Sequence, residues 1–65
     1  SNEPMANKIY ISAWLADQVD DASYPFPEDF DFEAAVEQMN FWFNHQIVSD
    51  HLDELLTLLL KELNK

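Results

Sequence analysis

The carboxyl-terminal part of the chain carries the pattern that most restricts the fold, a leucine-rich stripe with helical spacing. The sequence ends in "SDHLDELLTLLLKELNK", and leucines spaced three and four residues apart are typical of one face of an α-helix. We therefore predict a helix over residues 50–63, capped by Ser49 or Asp50, whose side-chain oxygens can accept hydrogen bonds from first-turn amides. The predicted face is wide enough to be buried on more than one side, and it comprises Leu52, Leu55, Leu56, Leu58, Leu59, Leu60 and Leu63.

A second helix is predicted over residues 31–45, with Asp29 or Asp31 as its cap. The connection to the last helix is short, so the two helices should form an antiparallel hairpin. The face that this helix should bury has apolar residues at helical spacing, namely Phe32, Ala35, Val36, Met39 and Phe43.

The first segment, "KIYISAWLADQVDD", fits two structures. Ile11, Trp14 and Leu15 follow helical spacing, which predicts a helix over residues 7–19. Ile9 and Ile11 alternate with polar neighbours, so a strand at residues 8–14 is the alternative. The nearest partner for such a strand, "ASYPF", contains a proline that cannot donate to a ladder, so the strand would have to pair across a dimer.

The predicted fold class is therefore all-α, a helical hairpin with an additional N-terminal helix, and α+β is the alternative. Residues 1–4 resemble a cloning remnant. Residues 5–65 are expected to form one small acidic helical domain.

Size and composition together favour a homodimer. A chain of this length buries only ~60% of its unfolded surface, yet 48% of the 65 residues are hydrophobic and there is no cysteine for a disulfide. Phe41, Trp42 and Phe43 are consecutive and cannot all face inward from one helix, so at least one of the first two should leave the main face. The candidate dimer interface comprises Phe41, Trp42, Leu52, Leu56, Leu59 and Leu63.

The charge distribution points to a positively charged partner. Thirteen acidic residues face three lysines, giving a net charge of −10, which disfavours direct binding to nucleic acid or to anionic membranes. Eight acids fall between Asp17 and Glu37 with no basic residue among them, and we call these eight the acidic strip. The prolines beside Phe26 should stiffen the middle of this region. The candidate partner-binding residues are Asp17, Asp20, Asp21, Tyr24, Phe26, Glu28, Asp29, Asp31, Glu33 and Glu37.

Catalytic chemistry is not indicated by the sequence. The chain has no glycine for a phosphate-binding loop and no cysteine or arginine, and its serines have no evident local base. We expect no enzyme activity, no cofactor and no metal, although His51 and Glu54 are spaced to face the same side of a helix. The expected function is a cytoplasmic protein-binding module, an inhibitor or adaptor of the kind that small phages encode. The alternatives are a DNA mimic and a structural subunit of a larger assembly.

Overall fold

The computed structural model describes residues 8–45, 47 and 49–65. Within these residues the chain is all-α, with α1 at Lys8–Asp21, α2 at Phe32–His45 and α3 at Leu52–Leu63. The predicted all-α class is confirmed, and the strand alternative for residues 8–14 is wrong because these residues belong to α1. The predicted remnant at residues 1–4 lies outside the described residues.

The core forms where α2 packs against both α1 and α3. The first half of α2 lies beside the second half of α3, so the two helices form the predicted antiparallel hairpin. Among the described residues, the largest completely buried side chains all follow the helical spacings in the sequence: Ile11, Leu15, Met39, Leu55 and Leu56.

The two predicted helix caps have different outcomes. The Asp31 side chain caps α2, since its Oδ1 accepts a hydrogen bond from the backbone N–H of Ala34 at 3.1 Å. The prediction for α3 is wrong, because the helix begins at Leu52 and His51 occupies the N-cap position without a side-chain cap in the described part of the chain. The Ser49 hydroxyl instead accepts a hydrogen bond from the backbone N–H of His51 at 3.0 Å, just before the helix begins.

The end of α1 adopts a left-handed conformation without glycine. Ala22 has a φ of 52°, its N–H donates to the carbonyl of Val19, and the N–H of Ser23 donates to the carbonyl of Gln18. This pair of hydrogen bonds is the Schellman ending of a helix, in which glycine is the usual left-handed residue. The chain contains no glycine, so an alanine takes the strained position.

The link between α1 and α2 is folded onto the carboxyl end of α3. The N–H of Phe26 donates to the carbonyl of Tyr24, which makes a tight turn at Pro25. The Asn64 side chain donates to the carbonyl of Pro25 at 3.0 Å. This contact joins residues far apart in the sequence, and it holds the link beside the last turn of α3.

Candidate protein-binding surface

All eight side chains of the acidic strip are exposed to solvent. Three belong to the last turns of α1, three to the link between α1 and α2, and two to the first half of α2. In chain order they are Asp17, Asp20, Asp21, Glu28, Asp29, Asp31, Glu33 and Glu37.

The three acids of α1 are placed where they destabilise their own helix. Asp17 is three residues before Asp20 and four before Asp21, and like charges at these spacings repel each other on a helix surface. They also lie near the carboxyl end of α1, where the helix dipole is negative and a basic residue would be favourable. The last turn of α1 contains no basic residue, so neither unfavourable effect is offset locally.

The acids at the start of α2 have a structural role as well. Asp31 caps the helix, and Glu33 lies in its first turn, where the positive end of the dipole stabilises a carboxylate. Glu37 forms an ion pair with Lys8. Among the described residues, the lysines make no ion pair with the other seven acids of the strip. The negative charge of these seven carboxylates is therefore not neutralised by a lysine.

The two aromatic candidates are anchored on the core rather than fully exposed. Tyr24 and Phe26 meet edge to face with their ring centroids 6.1 Å apart, and Phe26 meets Phe30 in the same way at 4.9 Å. All three rings are half-buried and pack against the core. They therefore hold the link in place and leave only part of each ring available to a partner.

The structure joins part of the acidic strip to the leucine stripe in a single cleft. This α2–α3 cleft has a volume of about 290 Å³, with Asp29 and Asp31 on its lining together with Phe30, Leu59 and Leu63. Phe30 was not among the predicted site residues. Its position between Asp29 and Asp31 could have identified it as one, because an aromatic residue flanked by two acids fits the pattern of the other candidates. The cleft combines carboxylates with an apolar wall, which suits a side chain that has an aliphatic stem and a cationic end.

The residues predicted for a dimer interface are divided between the core and the surface. Leu52, Leu56 and Leu59 are buried by the chain's own helices, whereas Leu63 is 49% exposed and Phe41 is 48% exposed. Trp42 is half-buried and packs against the core. Of the predicted interface residues, Phe41 and Leu63 are therefore the ones most accessible to a second chain. The dimer itself stays a prediction.

Neither histidine belongs to a cluster that could hold a metal. Within the described part of the chain, three or more His, Asp or Glu side chains do not come together at any point as a possible metal site. His45 stacks on Phe41 with ring centroids 4.2 Å apart, and His51 lies beside Asp50. None of the three described helices is long and apolar enough to cross a membrane.

No protein-family description matches the chain, and no curated protein or solved structure matches it. What these surfaces can bind is therefore inferred from their own chemistry.

Proposed function

We propose that the chain is a protein-binding module whose acidic strip docks on a basic site of another protein, as an inhibitor or an adaptor in the cytoplasm. The observation that carries this proposal is the position of Asp17, Asp20 and Asp21. Acids that served only solubility would be equally effective at the amino ends of helices, where the dipole stabilises them. Carboxylates that repel one another at the wrong end of α1 gain most when a partner brings cations to them.

The α2–α3 cleft supports the same proposal by offering apolar contact beside the charge. Exposed acids accelerate association and orient the partner, but they add little affinity by themselves. An apolar wall formed by Phe30 and Leu63, next to Asp29, can bury the alkyl part of a lysine or arginine while its charged end meets the carboxylate. Charge steering and apolar contact are both features of protein interfaces.

The experiment compares two variants with the same change in charge. In one, Asp20 and Asp21 become Asn. In the other, two exposed acids of α3 are neutralised, by Glu54→Gln and Glu62→Gln. A partner is first captured from a lysate at low salt and identified, and binding kinetics are then measured for both variants over a range of salt concentrations.

Neutralising the α1 acids should lower the association rate by about tenfold or more at low salt, and the difference should shrink as salt screens the charges. The α3 variant should keep a rate close to that of the parent. Equal losses in the two variants would mean that only net charge matters, and binding indifferent to salt would leave the acids with no role beyond solubility.

Two further results would favour the alternatives. Competition by duplex DNA for the same target site would favour the DNA mimic, because a mimic occupies the site that nucleic acid uses. A partner held through apolar contact alone, with no salt dependence, would favour a structural subunit.

A further inference from the structure

Three aromatic side chains and two carboxylates line one cleft at the start of α3. The cleft has a volume of about 420 Å³, and we call it the aromatic cleft. Tyr10 and Trp14 line it from α1, and Phe43 lines it from α2. Two carboxylates also lie on its lining, Asp50 just before α3 and Asp53 in the first turn of α3. Neither carboxylate belongs to the acidic strip. An inference about this cleft therefore does not rest on the proposed function of the strip.

The rings reach the cleft from two different helices. Tyr10 and Trp14 are four residues apart and therefore lie on the same face of α1, one turn from each other. Trp14 and Phe43 are half-buried and pack against the core, whereas Tyr10 is 54% exposed. Trp14 and Phe43 are thus held by the core, and all three rings contribute surface to the cleft.

The two carboxylates of the cleft differ in their contacts. Asp50 lies 3.6 Å from the Nε2 of His51, which also lines the cleft. The Asp53 carboxylate has no hydrogen-bond or ion-pair partner among the described residues, and Thr57 contacts only its backbone carbonyl. The part of the cleft lining that is described contains no lysine, and Lys8, two residues before Tyr10 in the sequence, forms an ion pair with Glu37. Asp53 therefore supplies a negative charge beside the rings without a cation to match it.

We propose that the aromatic cleft binds an arginine side chain of a partner protein. The faces of Trp and Tyr attract a cation placed over them, and a guanidinium group can stack flat on such a ring while its N–H groups donate to a carboxylate. A lysine ammonium is more strongly hydrated and offers no flat surface for stacking. An open cleft with aromatic walls and a free carboxylate therefore selects arginine over lysine, and either over a neutral side chain.

The probe is a blocked Gly-Arg-Gly tripeptide, titrated into the isotopically labelled full chain and followed by the indole N–H signals in NMR spectra. The two tryptophans give an internal comparison, because Trp14 lines the cleft and Trp42 does not. The Trp42→Phe variant assigns the two signals. The arginine peptide should shift the Trp14 signal and leave the Trp42 signal nearly unchanged. The lysine peptide should bind more weakly, and the citrulline peptide, which is neutral but similar in shape, should not bind.

Two matched substitutions test the role of the carboxylate. Asp53→Asn should weaken binding of the arginine peptide by about two- to fivefold, as expected for an exposed ion pair. Glu54→Gln makes the same charge change in the same turn of α3 but lies outside the cleft lining, so it should leave the affinity unchanged. Equal binding of the citrulline peptide, or an equal effect of Glu54→Gln, would overturn the proposal. So would a Trp14 signal that the arginine peptide does not shift at any concentration.

Discussion

Replacing Ala22 with glycine is expected to stabilise the protein, contrary to the usual effect of introducing glycine. Ala22 has a φ of 52°, and the left-handed helical conformation costs an L-residue roughly 1–2 kcal/mol. Glycine adopts it without that penalty. The gain is partly offset because glycine makes the unfolded chain more flexible, which costs about 0.4–1 kcal/mol. The expected net change is a rise of about 0.5–1 kcal/mol in the free energy of unfolding.

Thermal and urea denaturation followed by circular dichroism measure this change. In a domain of this size a change of 1 kcal/mol moves the Tm by about 4–8 °C, so the variant should melt about 2–8 °C higher. The control is Ala16→Gly, at an exposed position inside the same helix, where glycine should lower the stability by about 1 kcal/mol.

The comparison of the two glycine variants can refute the reasoning directly. If Ala22→Gly lowers the Tm as Ala16→Gly does, α1 does not end in a left-handed residue in solution. The path by which the link reaches α3 would then need another explanation, since the Schellman hydrogen bonds fix the direction in which the chain leaves the helix.

Four further predictions follow from the same contacts. Asp31→Ala should cost about 1 kcal/mol of stability through the lost cap of α2, whereas Asp31→Asn should retain most of it, as urea denaturation would show. Leu56→Ala should cost about 2–5 kcal/mol by the same measurement, because it empties a completely buried position. A double-mutant cycle on Lys8 and Glu37 should give a coupling of about 0.2–1 kcal/mol that falls with added salt. In sedimentation equilibrium the chain should have the mass of a dimer that Phe41→Ser weakens, and a single-chain mass across a wide concentration range would contradict this.

The helices could be predicted from the sequence wherever apolar residues repeated with a clear period. In α1 the strand-like alternation of Ile9 and Ile11 was misleading, because Ile9 is 83% exposed while Ile11 is fully buried. The spacing of Ile11 and Leu15 is the one that the core uses. A single exposed isoleucine was therefore enough to make two interpretations possible.

The clefts could not be predicted, because they depend on how the helices pack. Asp29 and Leu63 line the same cleft although they are widely separated in the sequence. The same is true of Tyr10 and Asp53 in the aromatic cleft. Local spacing identifies which residues share a helix face, but only tertiary packing decides which faces meet around an open space.

The two clefts lie at opposite ends of α3, which limits how partners can occupy them. Leu52 lines the aromatic cleft and Leu63 lines the α2–α3 cleft, and at 1.5 Å per residue they are about 16 Å apart along the helix axis. An extended peptide covers about 3.3 Å per residue, so a segment of about five residues can span that distance. A single basic segment would therefore need at least about five residues between its two cations to place one in each cleft. In that case Asp29→Asn and Asp53→Asn would weaken the same complex, whereas two separate partners would each respond to only one of these substitutions.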